Sequence, residues 1–147
     1  MRVLVQRVEN ASVTIDGKIF SRINKGYLLF VGFTTSDNEV TVKYLANKVI
    51  KLRVFSDESG KMNLSIKQIE GEILSISQFT LYADAEEGNR PSFTKALNPD
   101  EATRLYDLFN QELNLQYPSK IKTGIFQSDM KVQLINDGPV TILLERA

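Results

Sequence analysis

The chain has 147 residues, 42% hydrophobic and 24% charged, and its 18 Lys+Arg balance 18 Asp+Glu to a formal net charge of +0. It holds no histidine and no cysteine, which excludes a Ser-His-Asp triad, a thiolate nucleophile, disulfides and Cys/His zinc sites. The balanced charge gives no sign of broad wrapping of nucleic acid, although a local patch can still grip a small RNA element. A chain of this length is most simply one domain, residues 1–147, burying roughly 70% of its unfolded surface. Its longest apolar run, residues 27–33, is far shorter than the about 20 residues that cross a bilayer. The start of the chain alternates and carries charge, unlike a signal peptide. The expectation is a soluble, cytoplasmic protein with no membrane partner.

Val3, Val5 and Val8 among Arg2, Gln6 and Arg7 predict a strand with an irregularity. Residues 12–15 and 18–20 flank Asp16-Gly17, a strong two-residue hairpin signal because both turn positions need positive φ. Residues 26–33 are apolar throughout and read as a central strand buried on both faces. Ser36-Asp37-Asn38-Glu39 matches a capping box. Val42, Leu45, Ala46, Val49, Ile50 and Arg53 follow it at helical spacing. Residues 56–60 read as a turn, residues 73–77 as another strand and residues 83–92 as a polar loop. Asn98-Pro99-Asp100-Glu101 opens a second helix, with Asn as N-cap and Pro at the first position. Ala102, Leu105, Phe109 and Leu113 make its buried stripe, and Pro118 closes the segment. Strands near 120–126 and 131–135 precede a last one at 140–145, with Asp137-Gly138-Pro139 as a tight turn between them. This order predicts an α+β fold with two main helices and a mixed, largely antiparallel or barrel-like sheet.

Four segments have the residue types for chemistry. Ser77-Gln78-Phe79-Thr80-Leu81-Tyr82 puts two hydroxyls and an amide where a strand enters a polar loop, a common site position. Such hydroxyls also serve simply to satisfy local backbone, and neither has a histidine base. Gly138-Pro139 can point carbonyls at a ligand with no side chain in the way; the sequence leaves the isomer of its bond open. Arg90-Pro91-Ser92-Phe93 has the elements of a phosphate or base contact, or is an exposed loop. Gly60-Lys61-Met62-Asn63 reads as a turn into a strand, with Met62 as core filler. Carboxylates such as Asp84 and Asp129 are plentiful but show no metal-loop spacing.

Taken together and in this order, these segments resemble the D-aminoacyl-tRNA deacylases. The resemblance runs from Met1-Arg2-Val3-Leu4-Val5-Gln6-Arg7-Val8 to the C-terminus. It takes in Ala11-Ser12-Val13-Thr14, Leu52-Arg53-Val54-Phe55, Gly60-Lys61-Met62-Asn63 and Arg90-Pro91-Ser92-Phe93. Its two signature stretches are Ser77-Gln78-Phe79-Thr80 and Gly138-Pro139-Val140-Thr141.

The resemblance implies hydrolysis of the ester between a D-amino acid, or mischarged glycine, and the 3′-terminal adenosine of tRNA. It implies a homodimer with each active site at the interface and no cofactor or metal. Ser77, Gln78, Phe79 and Thr80 would line the catalytic pocket. Gly138 and Pro139, through a cis bond inserted from the other subunit, would reject L substrates. Arg7 would fix the Gly-Pro segment, Met62 and Met130 would border the adenosine, and Arg90 would contact substrate. Where the family often has a second basic residue before Arg90, this chain has Asn89. An unactivated threonine is a poor nucleophile, so the expected chemistry is RNA-assisted. The terminal 2′-OH would handle water while backbone N–H groups near Phe79 and Thr80 hold the oxyanion. Two other classes are weighed beside it: a non-catalytic RNA-end binding module, and a metal-dependent hydrolase using Asp84 and Asp129.

Overall fold

The N-terminal segment forms one strand of 14 residues, β1 (Arg2–Ile15), in the computed structural model, which describes residues 1–147. Asp16 and Gly17 both take positive φ, 52° and 78°, and turn the chain into β2 (Lys18–Ile23). β3 (Gly26–Gly32) follows. β2 pairs with the second half of β1 and β3 with the first, both antiparallel. β3 is buried nearly throughout, as its unbroken apolar run requires. β6 (Glu72–Ser77) lies parallel to β3, and the short β7 (Ile121–Thr123) parallel to β6. The sheet then curls toward a barrel. Ser21 Oγ on β2 donates to Thr123 O at 2.6 Å, and Lys122 Nζ on β7 donates to Arg22 O at 2.7 Å.

β4 (Arg53–Ser56) and β5 (Met62–Ser65) form a separate antiparallel hairpin. α1 (Glu39–Lys51) and α2 (Pro99–Gln116) run parallel: Arg104 Nη1 reaches Glu39 at 2.9 Å near their starts. Val42, Leu45 and Val49 pack with Leu105, Phe109 and Leu113 over Val3, Val5 and Leu29 in the larger core. A smaller core on the other side of the sheet takes Val8, Ala11, Val13 and Leu74. No helix is long and apolar enough to cross a membrane.

Three local expectations change. The N-cap of α1 is Asn38, whose Oδ1 accepts from Val40 N and Thr41 N at 3.0 and 3.2 Å, not Ser36. The neighbouring Asp37 is engaged elsewhere, by the Met1 amine at 2.6 Å and Thr34 N at 2.7 Å. Arg53 falls outside α1, because Leu52 turns to extended backbone at ψ 135°. Residues 120–126 hold only three strand residues, β7.

The largest change is at the C-terminus. Residues 131–135 and 140–145 are one strand, β8 (Lys131–Glu145), which pairs with β1 on both sides of residues 137–140. The segment at Gly138-Pro139 is therefore an irregularity inside a strand rather than a turn between two. Proline lacks an N–H for the ladder, and the register shifts there, between Gln6 and Val8. Asn136 closes the gap. Its Oδ1 accepts from Val140 N at 2.7 Å, and its Nδ2 reaches Val140 O at 3.2 Å, Thr141 Oγ1 at 3.0 Å and Gln6 Oε1 at 3.2 Å.

Asn136→Leu removes the side-chain bonds to Val140 N and Val140 O. The expected cost is about 1–3 kcal/mol, measured by urea unfolding. An unchanged midpoint would mean that something other than Asn136 holds the irregularity.

Candidate active site

Adjacent parallel strands β3 and β6 end side by side, where α/β sheets commonly open a crevice for ligands. Here they open into a cavity of about 690 Å³. Its walls come from Gly32 and Phe33, from Ser77, Gln78 and Phe79, from the start of α2 at Asn98 and Pro99, and from residues 126–130 with Val132. A side chain at Gly32 would put its Cβ 2.8 Å from Gln78 O, so the strand ends approach this closely only because position 32 is glycine.

Local backbone chemistry builds the turn beside the cavity. Gln78 N donates to Val31 O at 2.8 Å, continuing the ladder one residue past β6. The chain then makes a single 3-10 turn, Phe79–Tyr82, with no side-chain cap. The first N–H groups of such a turn have no intrahelical acceptors. Gln78 Nε2 donates to Thr80 Oγ1 at 2.5 Å. From below, Arg2 Nη1 donates to Leu81 O at 2.7 Å, and its guanidinium lies 4.5 Å from the Tyr82 ring centre. Burial pushes the Tyr82 phenol well above its ordinary value, so it stays protonated near neutral pH. Phe79 is 56% exposed and meets Phe93 edge-on at 5.0 Å.

The structure divides the sequence-predicted residues into two groups, with Arg90 outside both. Ser77, Gln78, Phe79 and Met130 line the cavity, with Thr80 in the adjoining turn. Arg7, Gly138, Pro139 and Met62 form no part of its wall. Met62 is 56% exposed on β5, so it is not core filler. Arg90 sits in the exposed 83–92 loop, off the wall.

The second group centres on Arg7. Along the β1–β3 ladder Arg2 pairs with Gly32 at the cavity, whereas Arg7 pairs with Tyr27 toward the far end. Arg7 is only 9% exposed. Its Nε donates to Asp137 O at 2.9 Å and its Nη1 to Val54 O at 2.6 Å. This ties the Gly138 segment to β4. The Gly138-Pro139 peptide is cis, and both residues are exposed. Beneath Arg7, burial drives the Tyr27 phenol far above its ordinary value, and the nearby guanidinium only partly opposes this.

The sequence marks Phe93 as part of the Arg90-Pro91-Ser92-Phe93 contact segment and Asp129 as a carboxylate for metal, but gives no sign that Asn98, Pro99 or residues 126–128 line the cavity. Asn98-Pro99 reads only as a helix start. The carboxylates considered for metal binding are occupied: Asp84 pairs with Lys95 at 3.0 Å and Asp129 with Lys131 at 3.1 Å. The Glu86 N–H and the Lys95 ammonium hold the Asp84 carboxyl below its usual range. No three His, Cys, Asp or Glu side chains are grouped to hold a metal ion.

The family model described as D-Tyr-tRNA(Tyr) deacylase matches residues 4–145. A solved structure described as a c-Myc DNA Unwinding Element Binding Protein is 40% identical. That match covers 100% of this chain and 99% of the other, with a TM-score of 0.95. A probable eukaryotic D-amino acid tRNA deacylase shares the fold at 16% identity and a TM-score of 0.83, covering 97% of both chains.

Gly138 has φ 134°, and a Cβ there would lie 2.9 Å from both Arg7 Nη2 and Val140 Cγ2. Gly138→Ala is therefore expected to lose about 1–3 kcal/mol, measured by urea unfolding. A variant as stable as wild type would show that the segment relaxes freely around the added methyl.

Proposed function

The chain belongs to the D-Tyr-tRNA(Tyr) deacylase family and is a hydrolase acting on aminoacyl-tRNA, and from that premise we propose how its residues divide the work. The substrate is the ester joining a D-amino acid, or mischarged glycine, to the 3′-terminal adenosine. The observation that carries the proposal is the separation of two parts within one chain. A cavity bears Ser77, Gln78 and Phe79, while an exposed Gly138-Pro139 segment lies off its wall. A homodimer in which each protomer offers its Gly138-Pro139 segment to the other's cavity brings the two together.

In that arrangement the carbonyls of Gly138 and Pro139 crowd the direction of an L side chain. A D side chain points outward, and glycine has nothing to exclude. The Arg7 bonds to Asp137 O and Val54 O hold the segment in its pose. Met130, on the cavity wall, borders the adenosine, and Met62, on the β4–β5 hairpin that Arg7 ties to the Gly138 segment, borders it from across the dimer. Arg90 contacts the RNA outside the cavity.

The chemistry needs no side-chain base. Water attacks the ester carbonyl, and the N–H groups of Phe79 and Thr80 stabilise the oxyanion that forms. The 2′-OH of the terminal ribose positions the water and relays its proton as the ester C–O bond breaks and the 3′-oxygen leaves. Thr80 is not the nucleophile: its hydroxyl bonds to the Gln78 amide, which cannot take its proton. An aminoacyl ester is already activated, so positioning and oxyanion stabilisation suffice. The work belongs to translation quality control in the cytoplasm. The 40%-identical relative is described as binding a DNA unwinding element, but a net charge of +0 gives this chain little general attraction for duplex DNA.

Purified protein incubated with D-Tyr-tRNA and L-Tyr-tRNA in chelator is expected to deacylate the D form and spare the L form. Equal rates, or none on either, refute chiral editing. Activity that chelator abolishes and Mg²⁺ restores would favour the metal-dependent class instead. Thr80→Ala is expected to keep kcat within about tenfold of wild type, since the backbone N–H remains. A loss of about 10⁴-fold or more in a variant with native unfolding would mean covalent catalysis by Thr80.

A further inference from the structure

Two segments of the resemblance, residues 52–55 and 60–63, lie apart from the aminoacyl cavity. Arg53 joins them: its Nε donates to Asn63 O at 2.8 Å and its Nη2 to Asn63 Oδ1. The oriented guanidinium lines a second cavity of about 420 Å³, where the C-terminal ends of α1 and α2 meet the β4–β5 hairpin. Lys51 and Lys67 line it too, with the amides of Asn63, Gln68 and Gln116. Gln68 Oε1 accepts from Ser65 N at 2.8 Å, which leaves Nε2 as a free donor.

No carboxylate lines this cavity, and none of its three cations forms a salt bridge. What sets these three apart is that they share one concavity with no acid in its wall, whereas Lys95 and Lys131 each stand beside a carboxylate, Asp84 and Asp129. Lys51 complements the negative end of α1, and α2, with no basic residue in its last turn, ends at the same cavity; Arg53 and Lys67 lie outside both helices. Three like charges around one concavity repel one another, and a bound anion relieves that repulsion.

We propose that this cavity seats phosphodiester groups of the RNA substrate, a reading that rests on the deacylase function above. Arginine and lysine beside free amide donors suit phosphate oxygens. Position supports RNA over a small anion. α2 begins at the aminoacyl cavity and ends at this one, and its 18 residues span about 27 Å. A terminal nucleotide cannot reach both, but a longer strand can.

The test compares Lys51→Gln/Lys67→Gln and Lys67→Glu with wild type, using D-Tyr-tRNA and D-tyrosyl-adenosine as substrates. On D-Tyr-tRNA the expected result is a KM raised about tenfold with kcat unchanged. The slope of log(kcat/KM) against log[salt] should also flatten by about 0.7–0.9 for each phosphate that is no longer neutralised. Lys67→Arg should restore both. D-tyrosyl-adenosine, which has no upstream phosphate, should be hydrolysed by all variants as by wild type. Unchanged KM and salt slope on D-Tyr-tRNA overturn the phosphate seat, as does an equal loss on both substrates. Wild-type protein inert toward D-Tyr-tRNA overturns the deacylase reading itself, which separates the two failures.

Discussion

Strand β1 is the constraint on which the rest of the molecule depends, because it is paired on both edges along most of its length. β3 and β2 take one edge in succession and β8 takes the other. Its first half sends Val3 and Val5 into the core under the helices, and its second half sends Ala11 and Val13 into the smaller one. Where the two halves meet, β8 shifts register and Gly138-Pro139 stands out from the ladder. The buried Arg7 guanidinium fills the space below. A charged group so little exposed requires compensating bonds, and it finds them in the carbonyls of Asp137 and Val54. One irregularity in one ladder thus exposes the segment proposed to read chirality and ties it to the β4–β5 hairpin.

The absence of histidine and cysteine then takes on a positive meaning. A protein can omit acid–base side chains when the bond it breaks is already activated and when donors stand ready where charge develops. In the proposed mechanism the turn after β6 meets the second requirement with backbone. Gln78 extends the ladder by one bond, the 3-10 turn begins without a cap, and Arg2 braces its far end at Leu81. The Thr80 hydroxyl accepts from the Gln78 amide, which offers it no base. The same economy extends to charge: a chain of net charge +0 has to concentrate whatever attraction it offers an RNA, and the cavity at Lys51, Arg53 and Lys67 is one place where cations stand without acids.

Much of this was legible in the sequence, wherever the signal is local. Asp16-Gly17 announced a hairpin because both residues must take positive φ. Asn98-Pro99 announced the start of α2, and the apolar run of β3 its burial on both faces. What stayed hidden depends on partners far away in the chain. Asp137-Gly138-Pro139 carries the composition of a turn, yet residues near 6 and 141 pair across it and make it part of a strand. Ser36 and Asn38 both suit an N-cap; Asp37, drawn to the Met1 amine, leaves the role to Asn38. Met62 has the composition of core filler and lies on an exposed hairpin. The Ser77-Gln78-Phe79-Thr80 stretch was visible as a strand end, but Phe93 and the start of α2 enter the same cavity through tertiary packing that no local pattern encodes.

In the proposed mechanism the substrate's own ribose supplies the proton handling that the missing side chains cannot. The direct measurement is single-turnover hydrolysis of D-aminoacyl-tRNA ending in 2′-deoxyadenosine, beside the ordinary ribose form, with binding measured for both. The expected result is binding close to that of the ribose form and a hydrolysis rate lower by about a hundredfold or more. Hydrolysis of the deoxy substrate at the undiminished rate would mean that a protein group, not the ribose, handles the proton.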